Sequence, residues 1–327
     1  MTSPKRGNIF ALFLILFSTI ASLVISIVLA NTGADIEKAQ LVLIIIQDLI
    51  ILLIPVLLYC LISHTSLLSI IPHERLSGKN ILYIILLTIL VSPLIVVVSA
   101  VTTMFYPADI NTVILNYINK LPMPLCILAL AVMPAVFEEL AFRGVILSNY
   151  KSVGLLKAAL VSGLFFGLFH MDFYQMGYAV IAGIFFSSIV RYTNSIYASM
   201  LSHFLINGVQ VVYTKLVLII INKFHIFGEN SLNEIITQSS QASNSYAPII
   251  TGIFFTVVAT PLLIMTFKKF MQHNKTHKLD YELSITQKKS EEFEINIDNI
   301  NNDQIKFVDI YFIAYFLIAI VLTILTK

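Results

Sequence analysis

Ionisable and amide side chains punctuate three otherwise apolar stretches. Glu138, Glu139 and Arg143 lie in Phe137-Glu138-Glu139-Leu140-Ala141-Phe142-Arg143, and His170 ends Gly163-Leu164-Phe165-Phe166-Gly167-Leu168-Phe169-His170. His203 and Asn207 lie in Ser202-His203-Phe204-Leu205-Ile206-Asn207. A carboxylate can take a proton from water, an imidazole can pass a proton or bind a metal, and an amide can donate to an oxyanion. Neighbouring Glu138 and Glu139 would point about 100° apart on a helix, so they cannot share one role on one face. The spacing of Glu139 and Arg143 suits an ion pair along one face, which leaves Glu138 as the candidate general base. His203 and Asn207 also share a face and could bind a metal, orient a water or donate to an oxyanion. Gly163 and Gly167 form a GxxxG face for close helix approach. His170 lies two turns beyond Gly163 on that face and is expected to point into the packed interior. Pro134, one turn before the glutamates, cannot donate to the Leu130 carbonyl and predicts a kink or a water pocket.

The elements that carry these residues must lie in lipid. The chain has 327 residues, 58% hydrophobic and 12% charged, against about 25% charged in a typical soluble domain. A water-soluble surface cannot be built from so few charges. Apolar runs predict helices near 8–30, 41–63, 80–103, 123–148, 155–171, 174–190, 195–220, 247–267 and 307–326. The fold class is therefore all-α, a polytopic transmembrane helical bundle of about eight to nine spans. The first run, Ile9 to Ala30, exceeds the roughly 7–15 residues of a signal-peptide core and reads as a retained span. Cys60 and Cys126 lie in apolar runs and read as buried small residues, with no disulfide framework or metal-type cysteine pair. No internal repeat, phosphate-binding glycine loop or nucleic-acid patch is visible, so no nucleic acid partner is expected.

Basic residues set the expected orientation. Lys5/Arg6, Arg75/Lys79, Lys151/Lys157, Arg191 and Lys268/Lys269 fall on alternate turns, while Lys38, Lys120 and Lys223 stand singly on the others. The positive-inside rule puts the N-terminus in the cytoplasm, and nine spans put the C-terminus outside. The chain divides into N-terminal transmembrane helices (1–122), a transmembrane core that carries the candidate residues (123–225) and an outer loop with a further span (226–270). A polar cytoplasmic insert (271–305), read as a solvated tether, and a C-terminal span (306–327) follow. Asp172 and Arg191 are expected at interfaces. At about 1.5 Å per residue, Glu138 and Asn207 lie roughly 18 Å, His203 roughly 12 Å and His170 roughly 20 Å from the cytoplasmic helix ends. All fall at middle depths, where ionisable residues are rare and usually functional. The residues alone leave two readings open: a catalytic or metal centre, or a proton relay of the kind transporters use.

The same residues resemble the CAAX protease and bacteriocin-processing family of intramembrane proteases, also called the Abi family. Its pattern of EExxxR, FxxxH and HxxxN or HxxxD is matched by Glu138-Glu139…Arg143, Phe166…His170 and His203…Asn207, in order, over about 123–210. The resemblance implies an intramembrane endopeptidase acting on a membrane-associated peptide or protein. It implies that Glu138 and His170 activate the water, that His203 and Asn207 support the site and the oxyanion or help hold a metal, and that Glu139 and Arg143 are supporting. The candidate catalytic set is thus Glu138, Glu139, His170, His203 and Asn207. Glu138, His170 and His203 could also hold zinc with an open position for water, and a metal-free glutamate mechanism is the alternative. Bacterial relatives are associated with peptide maturation or bacteriocin self-immunity, and the Ile-, Lys- and Asn-heavy composition fits an AT-rich bacterial genome and a bacterial cell membrane. A non-catalytic scaffold binding a regulatory partner such as a sensor kinase, or a proton-coupled transporter, are the competing functions. The missing repeat symmetry speaks against the transporter.

Overall fold

The structure, a computed structural model, describes residues 2–32, 49–106, 115, 117–224, 246–274 and 307–325. The 271–305 insert, the 222–246 loop and the start of the second span lie largely outside the described residues. Among the described residues the secondary structure is helical, with one isolated β-bridge between His73 and Ser195. The helices are α1 (Pro4–Thr32), α2 (Leu49–Ile62), α3 (Leu67–Ile70), α4 (Gly78–Phe105), α5 (Met123–Asn149), α6 (Leu155–Phe169), α7 (Phe173–Thr193), α8 (Ile196–Phe224), α9 (Ala247–His273) and α10 (Ile310–Leu325).

Six of these, α1, α4, α5, α7, α8 and α9, are long and apolar enough to cross a membrane, and α2, α6 and α10 are shorter apolar helices. The protein is an all-α polytopic membrane bundle. Within the described residues each of the nine expected apolar segments contains a helix, while the one-turn α3 and the helical residues 117–120 were not expected. Leu, Ile, Val and Phe side chains stand exposed along α1 and α9, a surface that water would penalise and lipid accepts. Local sequence sets several helix ends. The Ser77 hydroxyl accepts from Asn80 N at the start of α4, Asp172 from Tyr174 N at the start of α7, and Asp309 from Phe312 N at the start of α10. Asn194 ends α7 in the left-handed conformation, φ 50°, which asparagine tolerates better than most residues.

The basic turns meet at one end of the bundle. There Asn8 Nδ2 donates to Phe307 O (3.0 Å) and Asp309 Oδ1 (2.9 Å), and the Tyr150 hydroxyl donates to Asn8 Oδ1. Ser148 Oγ donates to Ile70 O (2.9 Å), Ile196 N to Pro72 O (2.6 Å), and Asn80 and Asn274 exchange amide bonds at 3.0 Å. Arg191 donates to Tyr150 O and Val153 O, closing the α5–α6 turn. Arg191 thus has a structural use.

One core cluster gathers α5, α6 and α7 with α1, α2 and α10, and a second joins α7 to α4, α8 and α9. A Cβ added at Gly163 would sit 2.5 Å from Ile184 Cγ1 and 2.9 Å from Val180 O; one at Gly167 would sit 2.9 Å from Met176 O. Only glycine lets α6 and α7 approach this closely. On the other flank α10 closes onto α6, where the Tyr315 hydroxyl donates to Phe165 O at 2.7 Å.

Candidate active site

α5 is not the uniform α-helix its apolar run suggests. It passes from an α turn (Met123–Ile127) to a π segment (Leu128–Val132), back to α (Met133–Glu139), and through a second π segment (Leu140–Ile146) to a final α turn (Leu147–Asn149). Pro134 has no N–H to return to the preceding turn, and the widened π turn before it takes up the defect that was expected as a kink. Glu138 and Glu139 therefore end a short α segment held between two widened ones.

Glu139 and Arg143 are both fully buried. Arg143 Nη1 donates to Glu139 Oε1 at 2.9 Å, and Nη2 donates to Gly183 O on α7 at 3.1 Å. The guanidinium carbon lies 4.5 Å from the centre of the Phe166 ring and 5.2 Å from that of Phe186. Such a pair survives burial only when geometry and extra hydrogen bonds compensate desolvation; two rings and a carbonyl contribute here, while Glu139 Oε2 and Arg143 Nε have no hydrogen-bond partner among the described residues.

Glu139 has a second partner. Its Oε1 lies 3.0 Å from His203 Nδ1 on α8. A carboxylate only accepts, which assigns the proton to Nδ1 and turns Nε2 away from Glu139. Nε2 lies 3.8 Å from Glu138 Oε2, the spacing of a near contact or of a bridged one. The imidazole stacks on Phe186 (centroids 5.1 Å, 26°) and meets the Phe166 ring edge-on (5.9 Å, 89°). Ser199, one turn earlier, lies beside the same carboxylate and gives its proton to Ile196 O. Next to His203, Ser202 Oγ pairs with Thr88 Oγ1 at 2.7 Å and ties α8 to α4.

His170 caps α6, half-buried, with Nδ1 2.9 Å from Phe166 O, while α7 fills the glycine face one and two turns before it. A carbonyl accepts, so Nδ1 carries the proton and Nε2 is left as an acceptor. Its ring meets Phe166 edge-on at 5.1 Å. The chain turns at once through Met171, φ 48°, a conformation unusual for a residue with a long side chain, and Asp172 then caps α7.

The fold thus brings together Glu138, Glu139, Arg143 and His203. His170 joins them through the shared Phe166 ring. Asn207 follows His203 by one turn on α8, half-buried, with no hydrogen-bond partner among the described residues. The residues missed by sequence reasoning are Gly183, Phe186, Ser199 and Ser202. None carries a charge, and the signal that could have found Phe186 is its position one turn beyond Gly183 on the same helix face. As for zinc, no three His, Cys, Asp or Glu side chains converge on a metal position among the described residues. Glu138 and His203 approach each other without His170 completing a three-ligand set, so the expected zinc ligands do not fit a zinc site in this geometry.

Residues 120–209 match the family model Rce1-like, described as type II CAAX prenyl endopeptidase Rce1-like. This stretch is similar to CAAX-type proteases. The match agrees with the resemblance carried by the three motifs and gives the Rce1-like segment the class of a CAAX-type protease. It covers α5, α6, α7 and the first half of α8, which contain every candidate site residue, and leaves α1, α2, α4, α9 and α10 outside. Neither a curated protein nor a solved structure matches the chain.

Proposed function

We propose that the protein is a glutamate-type intramembrane endopeptidase that hydrolyses a peptide bond of a membrane-associated peptide or protein. Its basic end faces the cytoplasm of a bacterial cell, and its setting is peptide maturation or bacteriocin self-immunity. The observation that carries this reading is the approach of His203 Nε2 to Glu138 Oε2 at 3.8 Å while Nδ1 is fixed on Glu139 at 3.0 Å, inside the Rce1-like segment.

The chemistry follows from which atoms remain available. Glu138 takes one proton of the attacking water as the water oxygen bonds to the carbonyl carbon. His170 Nε2, left as an acceptor by its bond to Phe166 O, accepts a hydrogen bond from the water's other O–H, which stays on the attacking oxygen, and orients the attack. The carbonyl electron pair moves onto oxygen, and the Asn207 amide donates to that oxyanion. When the intermediate collapses, the C–N bond breaks and the proton held by Glu138 passes to the leaving nitrogen. Acid and amine leave, and the carboxylate is restored. Glu139 and Arg143 do not touch the reacting atoms; they hold His203 opposite Glu138.

The test uses detergent-purified protein and quenched fluorescent membrane peptides, with and without a prenylated C-terminal cysteine. Wild type should cleave at least one class. Glu138→Gln and His170→Ala should each lower the rate by about 10²-fold or more. Cleavage that survives both substitutions overturns the reading, and loss under chelation with recovery on zinc replaces it with a metal mechanism.

A further inference from the structure

Phe186 lies on α7, 1% exposed, outside all three sequence motifs. Its ring is the one face-on neighbour of the His203 imidazole among the described residues, with centroids 5.1 Å apart and planes inclined by 26°. The other aromatic neighbour, Phe166, meets the imidazole edge-on at 5.9 Å. Phe186 also stands 5.2 Å from the Arg143 guanidinium, whose Nη2 is tied to Gly183 O one turn back on the same helix. One face of α7 therefore touches both partners of Glu139. A single hydrogen bond to Glu139 Oε1 fixes where Nδ1 lies but leaves the ring able to pivot about that contact. A flat neighbour packed against the imidazole removes the pivot.

We propose that Phe186 is a positioning residue: its ring face holds His203 in the plane that gives Nδ1 to Glu139 and directs Nε2 toward Glu138. The weight of this for catalysis rests on the peptidase reading above, while the ring's orientation can be tested without it. Phe165 provides the matched control. It is equally buried, on α6, and pairs with Phe312 and Tyr315 instead of the histidine. A merely structural loss of one core ring would affect Phe165→Leu and Phe186→Leu alike.

The experiment incorporates ¹⁵N-histidine into the full-length protein in detergent and reads the His203 imidazole nitrogens, assigned by their loss in His203→Gln. Wild type and Phe165→Leu should show a single tautomer, protonated at Nδ1, and Phe186→Leu should show averaged or doubled signals. On any peptide that wild type cleaves, Phe186→Leu should lower kcat about tenfold with KM changed less than twofold. Phe186→Met, of similar volume, serves the same purpose should leucine prevent folding. Unchanged His203 nitrogen signals in both the Leu and Met variants overturn the proposal, as does an equal response in Phe165→Leu. A wild type that cleaves nothing overturns the peptidase reading alone, because the nitrogen signals still report on the ring.

Discussion

Glu139 Oε1 and His203 Nδ1 meet at 3.0 Å across 64 positions of sequence, and the same oxygen accepts from Arg143. One carboxylate thus satisfies a cation on its own helix and a histidine on another. This divides the adjacent glutamates. Glu139, fully buried, belongs to the scaffold, and Glu138, whose side chain keeps 16% of its exposure, is the one that can reach water.

That division predicts opposite behaviour of the two carboxamide variants. Glu138→Gln should fold to wild-type yield and lose about 10²-fold or more of peptide cleavage. Glu139→Gln should lose folded yield as well, because it leaves the Arg143 charge without its counter-ion. Size-exclusion profiles alongside cleavage rates will separate the two.

Removing one partner of a buried ion pair costs about 3–5 kcal/mol, whereas replacing both with apolar groups is often far milder. Arg143→Ala should therefore be less stable than the double variant Arg143→Met with Glu139→Leu. Thermal unfolding in detergent gives the comparison. A double variant no better than the single would mean that the Gly183 bond and the two rings, and not the charge pair, dominate this site.

The turn after His170 offers a second handle. Met171 holds φ 48°, which a β-branched residue adopts only with strain of about 1–2 kcal/mol beyond the usual. Met171→Val should lower the unfolding midpoint and the cleavage rate together, since the turn sets the His170 ring. Met171→Gly should retain both to within a small factor.

Close packing of α6 on α7 yields a third. Gly163→Ala places a methyl 2.8 Å from Ile184 N, so the helices must separate at a cost of about 1–3 kcal/mol. Gly78→Ala, where nothing lies within 4 Å, should leave the unfolding midpoint unchanged. Equal midpoints for the two variants would contradict the contact.

Orientation is checked by labelling. In a Cys60→Ala, Cys126→Ala background, a cysteine at position 151 should resist a membrane-impermeant maleimide in intact cells and react once the membrane is opened. Reaction in intact cells would invert the bundle.

How much of this could be read beforehand depended on the range of each interaction. Helix-forming apolar runs and the Glu139–Arg143 pair are local: lipid thickness sets the one and a helical turn the other. The bond from Glu139 to His203 is tertiary, and depth alone made their meeting plausible without choosing which glutamate would hold the histidine. Gly183 and Phe186 did not stand out because a backbone carbonyl and a phenyl ring look like any other core element, and only their one-turn spacing on α7 links them. The π segments of α5 left no trace in hydrophobicity, although Pro134 marked the defect beside one of them.

The bond between Tyr315 and Phe165 spans 150 positions, and α10 lies beyond the whole Rce1-like segment in chain order. During synthesis the helix that ends in His170 enters the membrane long before its α10 neighbour exists. Its contact with Tyr315 waits for α10 to arrive and for Asn8 to find Asp309. A nascent chain would thus hold the whole Rce1-like segment in the membrane before the flank of α6 at Phe165 is covered.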